Sequence, residues 1–254
     1  SSSRAVRVSA PFTSRLSTRP SRLRREGLVE SLEVKGALTL TALDDDSANC
    51  VIRLRSNPGS GRGGAFAFTT HPKINKAAYE KNGVLQLKDQ GKGGFPSGRP
   101  VGILKWTNSA QDEALLPLKI NCWPEDEGRG VMSVSIEYSM ELPHLTLHDV
   151  RIHIPLGTAV APSVHSVDGT YRLNSGNQEL VWELSMVDSS NSSGSLEFSV
   201  GQKSSDAFFP IAVHFASQQL FVDMDVQDVA VASSGSQVPF GYSKALSSEE
   251  YLIG

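Results

Sequence analysis

Apolar and polar residues alternate at every second position along much of this chain. The clearest run covers residues 28–40, with the sequence LVESLEVKGALTL. Asp44-Asp45-Asp46 interrupts the pattern, and residues 51–55 (VIRLR) resume it. A period of two residues matches the alternating side chains of a strand and does not match the spacing of a helix. The sequence therefore predicts a strand, a turn and a second strand in this region.

The same alternation returns in later segments, and turn signals such as Asp168-Gly169 separate them. These segments are residues 102–106, 116–123, 131–140, 145–154, 170–173, 180–184, 195–200, 211–216 and 220–231. Many short strands separated by turns are typical of a β-sandwich with Greek-key connections. No repeat of fixed period is present, which disfavours propellers and solenoids. We therefore predict an all-β, elongated sandwich fold.

Glycine-rich stretches and one helical segment interrupt the strands. Residues 57–64 (NPGSGRGG) lack the GK[ST] ending and the strand-loop-helix context of a phosphate-binding loop, so we predict an ordinary loop. The same interpretation applies to residues 89–94 (DQGKGG). Residues 72–81 (PKINKAAYEK) predict a short helix, with a proline near its first turn and Asn82-Gly83 at its end.

Charge is distributed unevenly along the chain. The formal net charge is −3, from 24 basic and 27 acidic residues, but no acid precedes Glu26. Seven arginines do precede it, at positions 4, 7, 15, 19, 22, 24 and 25. Such an Arg/Ser-rich head over residues 1–26 is typical of an organelle transit peptide, whereas the apolar rhythm of Val6, Val8 and Leu16 indicates a first strand. We favour the strand, which makes a basic head part of an otherwise acidic fold.

Membrane and redox signals are weak in this sequence. No apolar run reaches the ~18 residues that a membrane span needs, so we expect a soluble chain. Cys50 and Cys122 lie far apart and have neither zinc-site nor secreted-scaffold spacing, which favours a reducing compartment.

The titratable residues form no recognisable catalytic or metal-binding motif. His144, His148 and His153 are close in sequence, but strand positions four residues apart are ~13 Å from each other, beyond metal-ligand distances of ~2 Å. No GxSxG elbow or activated thiol motif is present. The acidic turns Asp44-Asp45-Asp46 and Glu125-Asp126-Glu127 lack the EF-hand pattern. We therefore predict a non-catalytic protein with no metal and no cofactor, and the acidic body argues against nucleic-acid binding.

Three tryptophans stand out among the apolar residues. Trp182 shares one strand face with Leu180 and Leu184, which predicts a core position. Trp106 and Trp123 fall at predicted strand ends, and we expect them to be partly exposed.

Several short motifs follow one another in a characteristic order. They are Thr70-His71-Pro72 with Asn75-Lys76, then residues 101–106 (VGILKW), 116–124 (LPLKINCWP), 152–156 (IHIPL), 168–172 (DGTYR), 180–182 (LVW), 193–198 (SGSLEF) and 208–210 (FFP). Taken together they resemble the C-terminal mu-homology domains of coatomer delta subunits, in the COPI vesicle coat. The resemblance runs from about Gly27 to the last residue.

This resemblance implies a two-subdomain β-sandwich in which subdomain B is inserted into subdomain A. The mu-homology domain is then expected over residues 27–254. Subdomain A would cover about residues 1–112, which include the head, plus 213–254, and subdomain B would cover about residues 113–212. The head departs from the family, whose first strand has fewer arginines. Clathrin-adaptor medium subunits bind tyrosine sorting signals through an aromatic residue and an aspartate on that strand. Here Phe12 stands alone, and no aspartate precedes Asp44.

The resemblance also implies a function. Similar domains bind short acidic tryptophan-containing peptides of tethering-complex and Arf GTPase-activating proteins in Golgi-to-ER retrograde transport. Other coatomer subunits are further expected partners, and the expected location is the cytoplasm, peripheral on Golgi and COPI vesicle membranes through the coat. The alternatives are a structural spacer with little peptide affinity, cargo-signal binding like that of clathrin-adaptor medium subunits, and attachment of the Arg-rich head to anionic lipid.

A peptide site of this kind needs an apolar slot for an indole and cations for the flanking acids. The candidate residues concentrate cations in the acidic body; they are His71, Pro72, Lys73, Asn75, Lys76, Lys105 and Trp106. The alternative is that Trp106 closes a subdomain boundary and that the lysines are ordinary surface residues.

Overall fold

A computed structural model describes residues 6–19, 28–55, 66–91, 93–110, 116–140, 142–219 and 224–254. The chain forms two compact units. The first unit contains Ser1–Phe12, Val34–Asn108 and Leu220–Ala245, and the second contains Thr13–Glu33, Ser109–Gln219 and Leu246–Gly254. The subdomain boundaries expected from the sequence stay a prediction.

Strands dominate both units. In chain order the elements are β1 (Val6–Arg19), β2 (Leu28–Ala42), β3 (Cys50–Leu54), β4 (Ala67–Thr70), α1 (Lys76–Asn82), β5 (Val84–Leu85), β6 (Val101–Ala110), β7 (Lys119–Gly128), β8 (Val131–Ser139), β9 (Leu147–Pro155), β10 (Ser163–Val167), β11 (Thr170–Asn174), β12 (Glu179–Val187), β13 (Ser193–Gly201), a 3-10 turn (Ser205–Phe208), β14 (Ile211–Ser217), β15 (Val226–Val231) and β16 (Phe240–Ile253). Strands β1, β2, β6 and β16 contribute residues to both units. The all-β prediction is confirmed.

The first unit contains strands in the order β16-β1-β2-β6-β4 and a smaller sheet in the order β15-β3-β5. Alternation explains its core, because every second residue of a strand faces the same side. In β2 the buried positions are Val34, Leu38, Leu40 and Ala42, and Gly36 between them completes the same face. The predicted strand, turn and strand over residues 28–55 are thus confirmed.

The helix of the first unit is shorter than predicted. It begins at Lys76, four residues after Pro72, because the Asn75 side chain accepts a hydrogen bond from the Ala78 N–H and caps the first turn. The expected start at Pro72 is therefore wrong. Its end agrees with the prediction: Gly83 adopts the left-handed conformation (φ 65°) that glycine tolerates best, and its N–H donates to the Tyr79 carbonyl.

The second unit contains strands in the order β11-β12-β9-β14-β16 and a four-stranded sheet in the order β10-β13-β8-β7. Trp182 is fully buried, as predicted, and its Nε1–H donates to the Asp168 carbonyl oxygen at 2.6 Å. The Tyr138 ring lies 5.4 Å from its indole. Gly194 makes room for this tyrosine, since a Cβ there would come within 2.7 Å of the Tyr138 ring.

Most predicted strand positions are confirmed, with shifts of a few residues at their ends. The largest error lies in residues 220–231, where the strand begins only at Val226; residues 220–223 lie outside the described part. Strands β4, β5, β10 and β16 were not predicted from the alternation. The predicted loop at residues 57–64 also lies outside the described residues.

Two further properties bear on function. No helix in the described ranges is both long and apolar enough to cross a bilayer. Cys50 and Cys122 are free and buried. Burial raises the pKa of the Cys50 thiol to about 11 and that of Cys122 to about 12, which disfavours the reactive thiolate at neutral pH.

Candidate functional site

The residues predicted from the sequence lie in three segments of the first unit. His71, Pro72 and Lys73 form the turn after β4, Asn75 and Lys76 begin α1, and Lys105 and Trp106 lie in β6. Strand β4 pairs with β6 in antiparallel register, with Phe68 opposite Trp106 and Thr69 opposite Lys105. The fold therefore brings both parts of the predicted set onto neighbouring elements.

The turn after β4 has a defined geometry. The His71 N–H donates to the Ile103 carbonyl at 3.0 Å, and His71 Nδ1 accepts a hydrogen bond from the Lys73 N–H at 3.1 Å. The Lys73 carbonyl in turn accepts from the Lys88 N–H at 2.8 Å. Pro72 and Lys73 are exposed. The backbone of this turn is fixed, whereas the Lys73 ammonium group extends from it into solvent.

Asn75 has a structural role in this set. Its side-chain oxygen accepts from the Ala78 N–H at 3.2 Å, and its own N–H donates to the Gln86 carbonyl at 2.8 Å. These bonds position the first turn of α1 and therefore the side chain of Tyr79 one turn later. Asn75 acts on the site through the helix that it caps.

Trp106 does not form part of the accessible surface. Its side chain is 0% exposed, so the expectation of partial exposure is wrong for this residue. The indole fits over Gly36 of β2, where a Cβ would overlap it, and lies 6.4 Å from the Phe68 ring. Trp106 thus belongs to the core beside Phe68, its partner on β4. Trp123 is half-buried, as expected.

Three half-buried aromatic residues surround this position, and sequence reasoning missed them. Phe66, Phe68 and Tyr79 form a continuous array, which we call the aromatic surface: Phe68 lies 6.4 Å from the Phe66 ring and 6.4 Å from the Tyr79 ring. A signal was present, because Phe66-Ala67-Phe68 alternates like a strand. The position of Tyr79 depends on how α1 packs against β4, which no local pattern shows.

Tyr79 remains a neutral phenol at physiological pH. Burial, and to a lesser extent the Glu80 carboxylate, raise the pKa of Tyr79 to about 12. The aromatic surface therefore carries no charge of its own. It offers ring faces to an apolar or aromatic side chain of a ligand.

Cations flank the aromatic surface on a segment that is basic overall. Residues 66–108 contain seven Lys or Arg residues and only two acids. Lys76 precedes Tyr79 by three residues and is 68% exposed, with Glu80 Oε1 at 3.3 Å from its Nζ. A pair this exposed contributes little to stability, so Lys76 is available to another carboxylate. The local charge favours an acidic ligand.

Lys105 lies on the other face of the sheet. Consecutive residues of a strand point to opposite sides, and Trp106 is buried while Lys105 is exposed. Thr69 and Thr107, its neighbours on that face, are exposed as well. The structure thus places Lys105 beside the edge of the sheet but not within the aromatic surface.

The remaining candidate groups are distributed over the surface of the second unit. His144 and His148 are exposed, and His153 lies 3.4 Å from Glu179 Oε1 and 5.2 Å, between ring centroids, from His214. Within the described ranges, no group of three or more His, Cys, Asp or Glu side chains has the arrangement of a metal site. Among the described residues, the aromatic surface combines partly exposed aromatic rings with exposed lysines on neighbouring elements, and it is our candidate binding site.

The sequence of the chain matches a known family model. The description of that model is the adaptor complexes medium subunit family, and the match covers residues 21–253. A protein of Caenorhabditis elegans described as a probable coatomer subunit delta is 40% identical over 232 residues, which is 91% of this chain. The chain spans 44% of the length of that relative.

Two solved structures resemble the fold. The yeast delta-COP-I mu-homology domain superimposes with a TM-score of 0.82 at 25% identity, and the match covers 98% of both chains. The same yeast domain in complex with a Dsl1 WxWxV peptide superimposes with a TM-score of 0.80 and the same coverage.

Proposed function

Because the chain belongs to the adaptor complexes medium subunit family and has the mu-homology fold of coatomer delta subunits, we propose that it is a peptide-binding domain of the COPI vesicle coat. Its ligands are short acidic segments that contain tryptophan. The observation that carries this proposal is the complex of the similar yeast domain with a WxWxV peptide. Binding involves no chemical step, so the domain is not an enzyme and uses no cofactor.

The aromatic surface supplies a physical basis for tryptophan recognition. Phe66, Phe68 and Tyr79 are half-buried, so an indole that packs against them removes apolar area on both partners from water. Tryptophan is the side chain that most often dominates such interfaces. Buried Trp106 lies beside Phe68 on the same face of the sheet, with 6.4 Å between the ring centroids.

The lysines supply the preference for acidic segments. Lys73 and Lys76 are exposed on the turn and the helix that follow β4, and Lys105 lies on the opposite face of the sheet, in β6. Exposed charges of this kind chiefly raise the association rate and the salt dependence of binding. In this proposal His71 and Pro72 shape the turn that carries Lys73, and Asn75 positions α1.

Within the coat, we place this domain at the contact between coatomer and its accessory proteins. The proposed partners are other coatomer subunits and the tryptophan-containing segments of tethering-complex and Arf GTPase-activating proteins in Golgi-to-ER retrograde transport. The proposed location is the cytoplasm, peripheral on Golgi and COPI vesicle membranes. Membrane association is indirect, through the assembled coat.

Calorimetric titration of the domain with an acidic W-x-W peptide tests the proposal. We expect saturable binding that is lost when both tryptophans of the peptide are replaced by alanine. No saturation at millimolar peptide would overturn peptide binding and favour a structural spacer.

Two substitutions with matched controls test the site. Tyr79→Ala is expected to weaken binding about tenfold, as the loss of an aromatic anchor does, whereas Tyr171→Ala, an exposed tyrosine of the second unit, leaves it unchanged. Lys73→Glu is expected to weaken binding about threefold at low salt and less at high salt, unlike Lys203→Glu. If both site variants bind the peptide with wild-type affinity, the peptide site lies elsewhere on the domain.

A further inference from the structure

Strand β4 ends the strand order of the first unit at the side of the aromatic surface. Its neighbour is β6, and the strand order contains no further strand beyond β4 in the part of the chain that the structure describes. Phe68 and Thr70 pair with Trp106 and Leu104. An edge strand of this kind presents backbone donors and acceptors to whatever approaches it.

The pairing determines which backbone groups point outward. The His71 N–H donates to the Ile103 carbonyl at 3.0 Å, so this pair is hydrogen-bonded across the two strands. Hydrogen-bonded and non-hydrogen-bonded pairs alternate in an antiparallel ladder. The backbone groups of Ala67 and Thr69 therefore face β6, whereas those of Phe68 and Thr70 face the edge. None of the described residues donates to or accepts from these outward groups.

The aromatic surface has the repeat of an extended chain. The Phe66 and Phe68 rings are 6.4 Å apart, and residues two apart in an extended peptide are separated by ~6.8 Å. The peptide bound by the similar yeast domain has the motif WxWxV, in which apolar residues alternate at the same period of two. In a strand, both tryptophans and the valine of such a motif would lie on one face.

We infer that the bound peptide adds to the sheet as a further strand along the free edge of β4. Its tryptophans then lie on the same face as Phe66, Phe68 and Tyr79, and its backbone pairs with the outward groups of Phe68 and Thr70. The inference rests on the proposed function and specifies how the site is used.

Strand addition also explains the position of Lys105. The residues between the tryptophans of the motif point to the opposite face of the sheet, where Lys105 and Thr69 are exposed. Thr69 of β4 would lie between Lys105 of β6 and the added peptide. A lysine side chain is long enough to reach across one strand toward an acidic residue of the peptide. A pocket confined to one face would use either Lys105 or the aromatic surface, whereas an added strand uses both.

Hydrogen exchange measured by NMR, with and without saturating W-x-W peptide, tests the pairing. We expect the Phe68 and Thr70 amides to exchange at least about tenfold more slowly in the complex. The Thr69 and His71 amides, which already face β6, are the internal controls and change little. Saturable binding without added protection at Phe68 and Thr70 would overturn strand addition while the proposed function stands.

Backbone-methylated peptides give an independent test. N-methylation on one alternate set of peptide amides should weaken binding about tenfold, because those N–H groups pair with β4, whereas methylation of the other set is tolerated. Equal effects at both sets would overturn the inference. Failure of the unmethylated peptide to bind would overturn the proposed function together with it.

Discussion

The indole of Trp106 on β6 occupies the space above Gly36 on β2 that a Cβ of residue 36 would need. The smallest residue of one strand thus accommodates the largest residue of its neighbour. This close approach buries Trp106 completely and leaves Phe68, opposite it on β4, to form the accessible layer. The aromatic surface therefore depends on a glycine that is not one of its members.

Gly36→Ala should destabilise the domain by about 1–3 kcal/mol, because an added methyl group displaces the indole in a close-packed core. Urea denaturation followed by circular dichroism measures the effect. Gly102→Ala is the matched control, since the nearest atom to its Cβ is Lys105 Cε at 3.8 Å, an ordinary contact. Equal midpoints for the two variants would contradict the packing described.

Asn75→Ala should lower the free energy of unfolding by about 1 kcal/mol, because it removes the N-cap of α1. It should also weaken peptide binding, since Tyr79 depends on that helix. Asn75→Ser retains a capping oxygen and should restore both properties. If the serine variant binds as weakly as the alanine variant, Asn75 contacts the peptide directly.

Trp182→Phe should cost about 2 kcal/mol in the second unit. The change leaves a cavity and deprives the Asp168 carbonyl of the donor at 2.6 Å. Thermal unfolding measured by circular dichroism reports the loss. Tyr171→Phe, at a side chain that is 46% exposed, should lie within about 0.5 kcal/mol of the wild type.

Stability should fall as pH drops below 6.5, because His214 resists protonation in the folded state. Although this side chain is more than a third exposed, partial burial lowers its pKa below the ordinary 6.5, and His153 and Arg151 add to the effect while Glu179 opposes it. The unfolded chain then binds more protons than the folded one, so the stability present above pH 6.5 is lost as pH falls.

His214→Gln should flatten this slope between pH 7 and about 5.5, by less than about 1 kcal/mol because solvent screens the site. Urea midpoints across this range measure it, with His144→Gln as an exposed control. A similar change in both variants would remove His214 as the cause.

At lower pH, protonation of Glu179 also lowers the stability of the folded state. Burial raises its pKa, but hydrogen bonds from Asn174, Asn177 and His153 outweigh this and lower it below 4.5.

The alternation of apolar and polar residues predicted those strands in which the same face is buried along the whole length. The alternation of residues 131–140 matches β8, where Met132, Val134, Ile136 and Tyr138 are all buried. Strand β16 was not predicted because its buried face switches from an even-numbered position, Leu246, to the odd-numbered positions Tyr251 and Ile253. The sequence therefore shows no continuous alternation along this strand. Its pairing with β14 shifts register between Ala212 and Ala216, and such an irregularity interrupts the period of two.

The site was predicted in part for a related reason. The cationic segment is a property of composition, so Lys73, Lys76 and Lys105 could be identified from the sequence. Trp106 was expected to be partly exposed, but its burial depends on Gly36, which is 70 residues away in the sequence. The aromatic surface was missed because Phe68 and Tyr79 meet only when α1 packs against β4.

The sequence by itself determined the strand-rich fold, the short helix, the core position of Trp182 and the ordered motifs that mark the family. Each of these features depends on residues that are neighbours along the chain or that recur at a fixed period. Only the tertiary structure decided that Trp106 is buried, which other aromatic residues are accessible and which strand forms an edge. Those properties depend on which strands lie side by side, and hydrogen bonding and packing between distant segments determine that arrangement.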